Sequence, residues 1–167
     1  MDILNYRWAV PADAAAILQL SLQSWGQFER VLAPEHWAKM KQNMGDPVML
    51  SNLMSTAATF VCDAGQELAG VVFLVPSGNP TPIYPDDWAY IRLLGVHPAY
   101  RGKGIGRRLT EMCIEQAKDG GEKILGLHTS TMMPDARHIY SKLGFTLVRE
   151  LAPILGQQYW LYTMHLQ

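Results

Sequence analysis

Apolar positions recur along the chain with two periods, and the changes between them outline the elements. Residues 11–25 set Ala14, Ile17, Leu18, Ser21 and Trp25 at helical spacing, with Pro11 suited to a first turn and Asp13 against its positive end. A second helix opens at Pro34 and Glu35, shows Trp37, Met40 and Met44 on one face, and stops at Gly45-Asp46-Pro47. Residues 48–55 read as one or two further helical turns. Residues 3–9 mix apolar and polar positions like a short edge strand. Two strands, 59–62 and 68–75, are joined by a glycine-containing hairpin turn. Residues 71–75 do not alternate, so the second of these is covered on both faces.

Pro76, Pro80, Pro82 and Pro85 make 76–87 an ordered loop and not a strand. Residues 88–96 form the central strand, in which Gly95 marks a bulge or a close backbone approach. The next helix turns Ile105, Leu109, Met112, Cys113 and Ala117 inward and the pair Arg107 and Glu111 outward, and Gly120-Gly121 ends it. A strand over 122–129 follows. A helix from Pro134 shows Ala136, Ile139, Tyr140 and Leu143 on one face before Gly144. Strands 145–150 and 158–166, joined by a Pro-Gly loop at 152–156, finish the chain. The strand–helix–strand unit at 88–129 should be a right-handed parallel crossover, with antiparallel hairpins elsewhere. The expected fold is one α/β (α+β) domain over 1–167, a mixed, mostly antiparallel sheet of about seven strands with helices on both faces.

Composition narrows the classes without naming one. A net charge of −1 leaves no global field that would draw the chain to nucleic acid or to a membrane surface. Cys62 and Cys113 lack disulfide or metal-ligand spacing and fall in apolar patterns, so free thiols, no metal and a cytoplasmic location are expected. No apolar run reaches the ~20 residues of a membrane span. Met40, Met44, Met49 and Met54 fit either core packing or a pliable wall beside a substrate. Trp25, Phe28, Trp37, Trp88, Tyr159 and Trp160 leave the same choice open.

The chemistry concentrates between the central strand and its helix. Arg101-Gly102-Lys103-Gly104-Ile105-Gly106, followed by Arg107 and Arg108, joins three glycines to four cations at a helix N-terminus. Unpaired amides there, close backbone approach and local positive charge form a cradle for an anion, and the size of the cluster suits a pyrophosphate. A P-loop is excluded because no Gly-Lys precedes Ser or Thr at the required spacing. Evenly spaced glycines in a single crossover also exclude the dinucleotide fingerprint.

The motif does match the Q/R-x-x-G-x-G/A signature, and the chain resembles the GCN5-related N-acetyltransferase (GNAT) family. Residues 91–100 are similar to that family's fourth strand and its lead-in, and residues 136–145 to its last conserved helix and turn. The likeness is strong over about 58–150 and weaker over 1–57. It implies acetyl-coenzyme A as acyl donor, with Arg101, Gly102, Lys103, Gly104, Ile105, Gly106 and Arg107 around its pyrophosphate. It also implies that the fourth and fifth strands splay, with the pantetheine arm in the gap beside main-chain groups of Leu94 and Val96. One of those N–H groups would face the thioester carbonyl.

Tyr140 matches the family tyrosine that protonates the departing thiolate. A thiol pKa near ~8.5 and a phenol near ~10 make that transfer workable. Two positions depart from the family: Tyr90 stands where many relatives have a glutamate base, and Met133 where many have a cofactor-contacting asparagine. A water chain, His128, Asp86 or Asp87 are the replacements open for the base. The implied activity is direct acetyl transfer to an amine, either a small molecule or a peptide or protein N-terminus. The rival is a non-catalytic acyl-coenzyme A sensing module. Exposed edges would let the final strands pair across a homodimer, without requiring it.

Overall fold

A computed structural model describes residues 3–130 and 134–166. Its strands are β1 (Asn5–Trp8), β2 (Ala58–Asp63), β3 (Leu68–Val75), β4 (Ala89–Val96), β5 (Ile124–Ser130), β6 (Thr146–Ile154) and β7 (Gln157–His165). Its helices are α1 (Ala14–Trp25), α2 (Pro34–Met44), α3 (Pro47–Thr56), α4 (Ile105–Asp119) and α5 (Pro134–Leu143). One seven-stranded sheet runs in the order β1-β2-β3-β4-β5-β7-β6, antiparallel throughout except for β4 beside β5. The fold class read from the sequence is the one found.

Two apolar cores lie on opposite faces of the sheet. On one face Ile105, Leu109, Cys113 and Ala117 of α4 and Tyr140 of α5 pack on Val72, Leu74, Ile91 and Leu127. On the other face Ile17 and Leu20 of α1 and Leu50 of α3 pack on Val71, Phe73 and Tyr90. All eight residues of β3 are buried, as its unbroken apolar run predicts.

The structure corrects the sequence reading in three places. Residues 47–56 form a full helix, because Asp46 accepts the amides of Val48 and Met49 and Pro47 fits the first turn. The loop expected at 152–156 shrinks to a turn in which Leu155 and Gly156 both have positive φ. Strand β6 runs on through Pro153, which is tolerated because β6 is an edge strand with a register shift between Leu151 and Ile154. The bulge lies at Leu93–Leu94 and not at Gly95, as described below.

Helix α4 is seated on β3 at one point. A Cβ on Gly70 would lie 2.6 Å from Ile105 Cγ2 and 2.9 Å from Leu109 Cδ1, so the approach depends on the missing side chain. Gly70→Ala should destabilise the fold by about 1–3 kcal/mol through overpacking. Thermal unfolding followed by circular dichroism should show a Tm several degrees lower, and an unchanged Tm would mean that α4 is free to shift.

Candidate active site

The sheet opens between β4 and β5. They pair only at Ala89↔Leu125 and Tyr90↔Gly126, after which β4 stays on β3 while β5 follows β7. The separation begins at a bulge, where Arg92 pairs with Phe73 and Gly95 with Val71, so two β4 residues face Val72 alone. Leu93, inside the bulge, has φ 54°, a left-handed conformation that costs a non-glycine residue about 1–3 kcal/mol. Gly95 serves a close approach instead, since a Cβ there would sit 3.2 Å from Ser24 Oγ.

At the mouth of this fork stands the N-terminus of α4. Gly102 and Gly104 adopt φ of 80° and 78°, which turns the chain into the helix without a side-chain cap. The first backbone bond across this end is Arg108 N–H to Gly104 O at 3.0 Å. The amides of Ile105, Gly106 and Arg107 make no hydrogen bond among the described residues. They border a cleft of about 580 Å³ whose walls include Leu94, Val96, Trp25 and Phe28. Unpaired amides and the helix dipole make this end of the cleft an anion site.

Eight of the nine residues expected around a cofactor line this one cleft: Leu94, Val96, Arg101, Gly102, Gly104, Ile105, Gly106 and Arg107. Lys103 is exposed in the same turn and is not among the lining residues. The side chain of Ile105 is buried against β3, so it offers its amide only. Arg107 lies 3.9 Å from Glu111, the expected helical pair, whereas Arg108 turns away to Glu115 at 3.2 Å. Arg101 is already engaged: its guanidinium donates to Ser24 O at 3.1 Å and to Gln27 Oε1 at 3.0 Å. Ser24 Oγ in turn accepts from Val96 N–H at 3.1 Å. Sequence reasoning missed Ser24 and Gln27, because nothing in the spacing of α1 distinguishes them from other polar helix residues.

Tyr140 packs in the α4-side core, edge-to-face with Phe145 at 5.8 Å. Burial pushes its phenol up from the ordinary value, so it stays protonated at neutral pH. Its helix neighbours Ala136 and Ile139 line the cleft. The position of Met133 lies outside the described residues.

The other face of the fork holds an aromatic group unseen from the sequence. Tyr84, from the proline-rich loop, stacks on Tyr90 at 4.1 Å and shares a hydrogen bond of 2.6 Å with His128 Nδ1. Tyr90 donates its hydroxyl to Asn79 O at 2.8 Å, so the position of the family glutamate is occupied by an aromatic stack. Burial, with the charge of Arg92 adding, pulls His128 down to about 4 and leaves it neutral at pH 7. Asp86 and Asp87 are exposed and precede the paired end of β4, away from the fork. Among the described residues no cluster of His, Cys, Asp and Glu could hold a metal ion, and no helix is long and apolar enough to cross a membrane.

The methionines and aromatics are spread over core and cleft positions. Met40 packs with Trp25, Phe28 and Leu32 in a small third core, and Trp37 lies against it. Met44 and Met49 line a small cleft beside Arg92. Trp88 covers Gly126, Tyr159 belongs to the α1-side core, and Trp160 stacks under Arg137.

A mixed sheet forked after a bulge, with an uncapped helix N-terminus at its mouth, is the architecture to be matched with known proteins. A family model, Acetyltransferase (GNAT) family, matches residues 17–145, and the chain belongs to that family. It is 39% identical over 71 residues to the acetyltransferase Atu2258 of Agrobacterium fabrum, covering 42% of this chain and 50% of that protein. The chain thus spans about half the length of that curated relative. It is 30% identical over 163 residues to the L-methionine sulfoximine/L-methionine sulfone acetyltransferase of Salmonella typhimurium, covering 90% of this chain and 85% of that one. Among solved structures, the PaiA N-acetyltransferase of Thermoplasma acidophilum, in complex with coenzyme A, superposes with a TM-score of 0.79. At 16% identity over 98% of this chain and 99% of that one, this likeness shows the fold.

The neutral His128 has a consequence for stability. Its folded value of about 4 lies below the ~6.5 of free imidazole, so the unfolded chain binds more protons between those limits. Stability should therefore fall as pH drops from about 6.5 to about 4. Between pH 7.5 and 4.5 the contribution is about 2–3 kcal/mol, and His128→Gln should remove it from the pH slope measured by urea denaturation. Parallel pH profiles for the two proteins would contradict the assignment.

Proposed function

We propose that this chain transfers an acetyl group from acetyl-coenzyme A to an amine directly, with donor and acceptor bound together. The observation that carries this reading is one cleft that brings three unpaired α4 amides together with Leu94 and Val96, the β4 residues beyond its last pair with β5. Its residues fit coenzyme A: amides and Arg107 for the pyrophosphate, and a strand-lined gap for the pantetheine arm beside Leu94 and Val96. Val96 N–H and Val96 O are held by Ser24 and Arg101, so an entering pantetheine amide would exchange with those bonds. The solved complex of Thermoplasma PaiA with coenzyme A supports the same assignment.

In the proposed reaction the amine nitrogen attacks the thioester carbonyl carbon, a C–N bond forms and the C–S bond breaks. A β4 main-chain N–H stabilises the developing oxyanion, a contribution that can reach ~3 kcal/mol. Tyr140 gives its proton to the departing thiolate; burial makes its phenol a weaker acid than usual, so the transfer depends on phenol and thiolate being held together. The proton shed by the amine leaves through water on the acceptor side, since Tyr90, Asp86 and Asp87 offer no carboxylate at the fork. The relative named for methionine sulfoximine and methionine sulfone favours a small-molecule acceptor over a protein N-terminus.

Thiol release from acetyl-coenzyme A across a panel of amines tests the reading. Tyr140→Phe should lose about 10²-fold in kcat and keep coenzyme A affinity within about threefold. Unchanged turnover would remove Tyr140 from the mechanism. Tight coenzyme A binding with no transfer to any amine would instead support a sensing module. Gly104→Val, which forces a branched side chain to φ 78°, should weaken coenzyme A binding at least about tenfold in calorimetry. Unaltered affinity would detach the cradle from the cofactor.

A further inference from the structure

The face of the fork away from α4 carries a cation that makes no ion pair among the described residues. Tyr90 and Gly126 are the last paired residues of β4 and β5. Strand alternation then makes Arg92 and His128 the next residues on that face, one on each side of the opening. Arg92 is half-buried, and among the described residues it has no ion pair and no hydrogen bond. Asp46 lines a cleft of about 50 Å³ with Arg92, and its Oδ1 accepts the amides of Val48 and Met49.

Apart from the Asp46 carboxylate, which makes no ion pair with Arg92 among the described residues, the neighbouring groups at the fork are uncharged. His128 is neutral and tied to Tyr84, and burial keeps the Tyr84 and Tyr90 phenols protonated. A half-buried guanidinium loses hydration without gaining a partner, and a carboxylate restores both charge balance and hydrogen bonds. The rest of this wall is mostly apolar, with Phe73, Leu93, Leu50, Leu53 and Met49 beside the polar Ser21 and Asn43.

We propose that the acceptor is a small amine that also bears a carboxylate, as an apolar α-amino acid does, and that Arg92 holds that carboxylate. The inference rests on the transfer reading above. A carboxylate on Arg92 places an amine one carbon away, beside the bulge at Leu93–Leu94 where the acyl group would enter from the opposite face. The apolar wall receives the side chain. Arg92 is thus a specificity-determining residue, on the face of the sheet opposite the pyrophosphate cradle.

Steady-state kinetics with acetyl-coenzyme A should compare apolar L-amino acids with their amides and their decarboxylated amines. Wild-type kcat/KM should be about 10²-fold higher for the amino acids, the effect of one charge-assisted pair. Arg92→Met should raise KM for the amino acids by about 10²-fold, leave KM for the neutral amines within about threefold, and leave coenzyme A affinity unchanged. Arg92→Lys should restore part of the preference. Calorimetry with N-acetyl amino acids and their amides needs no turnover. Binding that requires the carboxylate and is lost in Arg92→Met supports the proposal even where no transfer occurs, a result that would remove only the enzymatic reading. Equal use of amino acids and their amides overturns the proposal and leaves the transfer reading standing, as does an equal loss on both in Arg92→Met. N-acetyl amino acids that fail to bind, with no transfer to any amino acid, also overturn it.

Discussion

The structure depends on the parting of β4 from β5 after two residue pairs. The candidate site lies along the gap this creates. Two features hold it open. The bulge turns β4 off its course at the expense of a leucine in left-handed backbone, and β5 finds its hydrogen bonds on β7 instead. Helix α4, pressed onto β3 at Gly70, then fixes its own N-terminus at the mouth. A sheet edge inside a protein is a row of unmet donors and acceptors, costly unless something pairs with it. Here Ser24 and Arg101 occupy the Val96 end of that row, and an extended ligand is the natural replacement.

The fork also separates two chemistries that one open cleft would mix. On the α4 side lie unpaired amides, Arg107 and the buried phenol of Tyr140, a setting for a polyanion and a leaving thiolate. On the α1 side lie a stacked tyrosine pair, a neutral histidine and Arg92, a setting of one positive charge in apolar surroundings. In the proposed reaction the amine and the thioester would meet where the strands part. Few special side chains are needed, because main-chain geometry does most of the positioning.

Features governed by local rules were legible in the sequence. The 105–117 periodicity located α4, the unbroken apolar run of β3 announced burial on both faces, and the glycine turn located the helix N-terminus that borders the cleft. Features that depend on contacts between distant elements were not. The Tyr84–His128 bond spans 44 residues and the Ser24–Val96 bond 72, and no pattern within either segment announces them. Gly95 was legible as a bulge or a close backbone approach and serves the approach, while the bulge and its left-handed φ fall on Leu93, where no glycine marks them. Pro153 looked like a strand breaker until β6 proved to be an edge.

Co-crystallisation with coenzyme A tests the central claim most directly. The account predicts pyrophosphate oxygens on the amides of Ile105, Gly106 and Arg107, with the pantetheine chain along β4 from Val96 to Leu94. The sulfur should then lie in the gap between β4 and β5, on the same side of the sheet as Tyr140. Coenzyme A bound outside the fork, or a pantetheine chain that leaves the Ser24–Val96 bond and the gap untouched, would contradict it.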